Sequence, residues 1–129
     1  MKANLGPSVE HRILTSLFTV EGGEASARTL LREGTTAIIC GSDLMALGAM
    51  RAVRSAGLRV PEDVSLVGFD DIALSAYQIP PLTTVRQPIQ DIGIALGRAL
   101  RAVLAGEVPT LPRLELRLVE RASVREVRA

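Results

Sequence analysis

Between Ala37 and Phe69 the chain reads as strand, helix, strand, and this unit restricts the fold more than any other feature. Ala37 to Cys40 is a short apolar run, and Gly41 turns the chain. Ser42 or Asp43 can then cap the helix LMALGAMRAVRSAG, which stops at Gly57. The first two turns of that helix are apolar on nearly every side, so burial on two faces is expected. RVPED reads as a turn and VSLVGF as the next strand. Strands alternating with helices imply a mostly parallel α/β sheet with helices on both faces.

The flanks continue the alternation. RILTSLF, Arg12 to Phe18, alternates well enough to predict a strand. Thr19 can cap a helix through about Glu33, with Gly34 just past its end. Gly22 and Gly23 in its first turn disfavour a helix, and they suggest close backbone approach to a neighbour. After VSLVGF, a short helical or irregular piece leads to Pro80 and Pro81, and LTTVRQ is extended. Pro88 opens the longest helix, with Ile89, Ile92, Leu96, Leu100 and Val103 or Leu104 at helical spacing, and Gly106 ends it. RLELRLVERASV reads as a terminal strand or hairpin. Residues 1–11 are polar, broken by Gly6 and Pro7, and expected to be a loose lead-in.

Composition narrows function. Fifteen Lys and Arg face fourteen Asp and Glu, a formal net charge of +1, so there is no electrostatic footprint for nucleic acid. Phe18, Phe69 and Tyr77 are too few for a stacking platform on single strands. A lone Cys40 allows no internal disulfide and suits a reducing, cytoplasmic setting. The N-terminus has no apolar core of a signal peptide, and no run is long enough to span a membrane. Neither a G-x-x-x-x-G-K nor a G-x-G-x-x-G motif is present.

In open α/β sheets, ligands sit beyond the carboxyl ends of the strands. Three strands would end there on Phe18, on Gly41–Ser42–Asp43 and on the adjacent acids Asp70 and Asp71. The acids could cap a turn, hold a metal, catalyse, or accept hydrogen bonds from a ligand's hydroxyls. Ser42 and Asp43 could equally be local caps. Phe18 is either core or a flat apolar face for a sugar or purine. No metal-loop spacing is present, the single His11 lies in the lead-in, and Cys40 sits in a strand with no base beside it.

TAIICGSDLMALGAMRAVRSAGLRVPEDVSLVGFDDI, then PPLTTVRQP, then LELRLVERAS together resemble the C-terminal portion of lac repressor/gal repressor family transcription regulators, from about Phe18 to Ser123. The resemblance implies a periplasmic-binding-protein-like fold in which two α/β subdomains close on a small effector, with operator DNA held by a separate helix-turn-helix domain. Only the later part is matched: residues 12–129 would be the C-terminal part of the effector-sensing domain, truncated before the N-terminal subdomain and the helix-turn-helix. The helix of residues 88–105 would pack on that missing subdomain.

Carried over residue by residue, the resemblance makes Asp70 the acceptor for effector hydroxyl or amine groups and Asp71 a turn or supporting residue. Ser42 stands where the family often has an asparagine, so an amide contact is lost. Asp43 follows and is favoured as a helix cap, Phe18 lines the pocket, and Gln87 lies at the subdomain crossing. Leu47, Met50 and the stretch from Ala73 through Tyr77 to Gln78 fall where subunits pair. The implied protein is no enzyme, needs no cofactor or metal, and works in the cytoplasm as a homodimer. It would bind a small carbohydrate effector, and it would meet DNA only through the absent domain. A solute-binding module of a sugar transport system is the alternative, and an Mg²⁺ enzyme using Asp43, Asp70 and Asp71 is a third reading.

Overall fold

A computed structural model describes residues 12–126. The elements run α1 (Val20–Arg32), β1 (Ala37–Ile39), α2 (Asp43–Ser55), β2 (Ser65–Val67), a 3₁₀ turn (Ala73–Tyr77), β3 (Thr84–Arg86), α3 (Ile89–Leu104) and β4 (Arg117–Val119). The proposed lead-in of residues 1–11 lies outside the described residues.

Local signals set the helices. The Thr19 hydroxyl accepts from the Gly22 N–H at 3.0 Å to start α1, and the Ser42 hydroxyl accepts from the Met45 N–H at 3.2 Å to start α2. All three helices stop at a glycine with positive φ: Gly34, Gly57 and Gly106.

α1 and α2 pack at backbone distance. A Cβ on Gly23 would stand 2.1 Å from the Met45 carbonyl oxygen, and one on Gly48 only 1.9 Å from the Val20 carbonyl oxygen. The close approach expected at Gly23 is therefore the seat of α2. Gly22 meets the chain's own Leu17 carbonyl instead. Ala27, Ala46, Ala49, Met50, Ala52 and Val53 of these helices form one buried cluster with Ile38, Cys40, Val64, Leu66 and Leu82.

β1 and β2 pair in parallel, Ile38 opposite Leu66, as the strand–helix–strand reading requires. β2 continues toward β3 through single parallel bridges, Val67 to Thr83 and Asp70 to Arg86. β3 pairs antiparallel with β4, Val85 opposite Leu118. The sheet is thus parallel through its first strands and closed by an antiparallel return. The returning segment is fixed by Ser123, whose hydroxyl donates to the Leu66 carbonyl at 2.6 Å and accepts from the Thr83 N–H at 2.8 Å.

One expectation changes. Arg12–Phe18 is not a strand: it joins no ladder among the described residues, and Ile13 and Leu17 stand in solvent. Alternation alone cannot make a strand, which exists only through hydrogen bonds to a neighbour. Arg12 instead forms an ion pair with Glu33 just past the end of α1. α3 forms over the expected residues; Ala95 is buried, and Ile89, Leu96, Leu100 and Leu104 are exposed.

Candidate functional site

The carboxyl ends of β1, β2 and β3 lie side by side and carry the candidate residues. At β1, the Phe18 ring lies over Gly41, with ring carbons 3.4 Å from where a Cβ would be, and it is 66% exposed. Phe18 is thus a rim residue rather than core. Past β2, the chain takes positive φ at two successive non-glycine residues, +117° at Asp70 and +55° at Asp71. Asp70 Oδ1 accepts from Gln87 Nε2 at 2.7 Å, and both residues are half-buried. The Asp70 N–H donates to the Val85 carbonyl at 2.9 Å, which holds this loop against β3.

The two acids differ in their surroundings: Asp70 meets Gln87, whereas Asp71 is held between two arginines. Its carboxylate accepts from Arg121 at 2.6 Å and Arg86 at 2.5 Å, and its side chain is only 5% exposed. Burial raises its pKa, yet the guanidinium groups of Arg121 and Arg86 outweigh that and hold it below the usual carboxylate range.

Ser42 and Asp43 require correction as effector contacts. The Ser42 hydroxyl caps α2 and is nearly covered. Asp43, favoured as that cap, does another job: it is fully buried, and its carboxylate accepts from the Ile72 N–H at 2.9 Å, the Ser75 hydroxyl at 2.6 Å and the Thr84 hydroxyl at 2.5 Å. Its Oδ1 lies where a Cβ on Gly68 would be, 2.2 Å away, so Gly68 is needed to admit the carboxylate. Asp43 therefore joins the start of α2 to the loop after β2 and to β3, leaving no surface for a ligand.

Cys40 is buried, and burial, followed by the nearby Asp43 charge, pushes its thiol pKa up to about 12. Such a thiol is no nucleophile at neutral pH. Among the described residues no cluster of three His, Cys, Asp or Glu is placed to hold a metal. No helix of the described residues is long and apolar enough to cross a membrane.

The expected pairing surface divides. Met50 turns into the core at 5% exposure and Leu47 is likewise covered, because α2 is buried on most of its circumference. Ala73 and Tyr77 are exposed and Gln78 partly so, and beside them Leu74 and Ile79 also face solvent. A cavity of about 670 Å³ lies away from the rim, between residues 12–14, α1 and β1, with Ile13, Leu14, Leu30 and Ile39 among its walls.

Arg86, Arg121, Ser75 and Thr84 carried no signal in the sequence. Their partners lie 15, 50, 32 and 41 residues away, and only the tertiary fold brings them together.

A parallel sheet flanked by helices, with polar groups at its carboxyl rim, is consistent with a periplasmic binding protein-like domain, and residues 2–124 match the model of that domain. The chain belongs to the lac repressor/gal repressor branch of this family. It is 54% identical over 91 residues to the MalR transcriptional regulator of Streptomyces coelicolor, covering 70% of this chain and 26% of that protein. The structure superposes on a CelR regulator–cellobiose complex with TM-score 0.76 at 40% identity, covering 84% of this chain and 34% of that one. It superposes on the lac repressor dimer bound to operator and an anti-inducer with TM-score 0.73 at 36% identity, covering 84% and 39%. The chain therefore spans well under half the length of these relatives.

Proposed function

We propose that this chain is the effector-sensing and pairing portion of a transcription regulator, with a carbohydrate bound at the rim formed by Phe18, Asp70 and Gln87. The observation that carries the reading is the Asp70–Gln87 pair. A carboxylate already ordered by an amide suits the hydroxyls of a sugar ring, and the exposed Phe18 ring over Gly41, past the end of β1, offers a flat face for its C–H groups. CelR was solved with cellobiose, a disaccharide of this chemistry. A binding rather than a catalytic role is supported by the raised thiol pKa of Cys40 and by the internal donors that engage Asp43 and Asp71.

DNA would be met through a separate domain, since this chain's charges nearly balance. Residues 12–129 form the later part of the sensing domain, and α3 lays its apolar stripe on the rest of the regulator. Pairing of copies uses Ala73, Tyr77 and Gln78, with Leu74 adding apolar surface. The named relatives are regulators, which disfavours the transport-module alternative.

Calorimetric titration with cellobiose, lactose and ribose, against the native chain and Asp70→Ala, tests the site. Removing a charged acceptor that faces buried donors should weaken binding by roughly 2–4 kcal/mol. Equal binding by both proteins would remove Asp70 from the site.

A further inference from the structure

We propose that Asp71 is a positioning residue: its carboxylate, bracketed by Arg86 and Arg121, holds the neighbouring Asp70 in the posture that engages Gln87 and a carbohydrate hydroxyl. The inference rests on the rim site proposed above. It starts from the backbone. Two successive non-glycine residues at positive φ, +117° and +55°, are held there by their surroundings rather than by local preference. The anchoring contacts come from β3 and from the segment after β4. The Asp71 N–H reaches the Thr84 hydroxyl at 3.4 Å, and the Asp71 carboxylate bridges Arg86 and Arg121.

The geometry has two adjacent rungs. Asp70 meets Gln87, Asp71 meets Arg86, and each rung joins the same loop to the same strand end. The Asp71 rung therefore fixes the distance across which the Asp70 rung forms. Arg121 makes the bracket rigid, because its guanidinium also donates to the Leu82 carbonyl at 2.7 Å and its N–H to the Thr83 hydroxyl at 2.9 Å. The two guanidinium groups also pair with the Asp71 carboxylate, so no uncompensated acid stands beside Asp70.

The test uses the 129-residue chain and the variants Asp71→Asn, Arg121→Gln and Asp70→Ala. One readout is the ¹H–¹⁵N signals of the Gln87 side-chain amide; the other is calorimetric affinity for cellobiose. In Asp71→Asn the Gln87 signals should move toward their positions in Asp70→Ala, and affinity should fall about tenfold, the scale of one lost positioning contact. Signals at wild-type positions, with only a lowered denaturation midpoint, would show that Asp71 merely supports the fold and would overturn the proposal. If Asp71→Asn does not fold, Arg121→Gln, which keeps Arg86 in place, carries the same expectation and the same refutation. If the native chain takes up none of cellobiose, lactose or ribose while Asp71→Asn still displaces the Gln87 signals, the positioning role stands and the carbohydrate reading falls.

Discussion

The Asp43 carboxylate and the Thr84 hydroxyl meet at 2.5 Å across 41 residues of sequence, in a place with no solvent exposure. That contact, with those to Ser75 and the Ile72 N–H, ties the start of α2 to β3 and to the loop that carries Asp70.

Asp43→Ala should therefore be among the most damaging single changes in the chain. It leaves two hydroxyls and one backbone N–H buried without their acceptor, at about 1–3 kcal/mol for each orphaned group, so a total loss of roughly 3–5 kcal/mol is expected. Urea denaturation followed by circular dichroism measures it. A loss under about 1 kcal/mol would mean that the network is dispensable.

Two glycine-to-alanine changes should have opposite signs. At Gly48 the new methyl would meet the Val20 carbonyl and the Glu24 nitrogen, both backbone, so α1 and α2 must separate, at about 1–3 kcal/mol or more. At Gly97 in α3 nothing lies within 4 Å, and alanine should stabilise by about 0.5–1 kcal/mol through its better helix propensity. Thermal melts of the two variants check both signs; a destabilising Gly97→Ala would reveal a neighbour packed on that face.

Asp71 should leave a signature in acid. Its folded-state pKa lies below the unfolded value near 3.9, so its stabilisation is fully present above that value. It is lost as pH falls through the lower folded value. The stability gap between the native chain and Asp71→Asn should be flat from neutral pH to about 5 and close below about 4. Glu24 and Asp63, whose pKa values are also lowered, by Arg28 and Arg59, occur in both proteins and cancel in the difference. Denaturant midpoints between pH 7 and 3 measure the gap; one that widened in acid would contradict the ion-pair assignment.

The isolated chain should self-associate. Along α3, Ile89, Leu96, Leu100 and Leu104 are exposed, and each forgoes about 1.5–3 kcal/mol of burial while it stays in water. Sedimentation velocity at micromolar concentration should show a concentration-dependent species larger than 13.7 kDa. Leu96→Glu combined with Leu100→Glu should shift it toward monomer. A single monomer peak in the unaltered chain would show that the stripe is satisfied within its own molecule.

Elements whose causes are local were legible in the residues alone. Thr19 and Ser42 mark helix starts because a hydroxyl there reaches an N–H three residues on, and Gly34, Gly57 and Gly106 mark ends because their backbone enters positive φ. The parallel pairing of β1 with β2 followed from the helix between them. Tertiary structure decided the rest. Whether RILTSLF becomes a strand depends on a neighbouring strand, which no alternation pattern supplies. Asp43 looks like any helix cap until Ser75 and Thr84 arrive from 32 and 41 residues away. Met50 fits a pairing surface as well as a core position, and only the seating of Gly23 and Gly48 turns it inward. Asp71 acquires its two arginines because β3 and the segment after β4 converge on one loop, and contacts between segments so far apart leave no periodicity in the sequence to read.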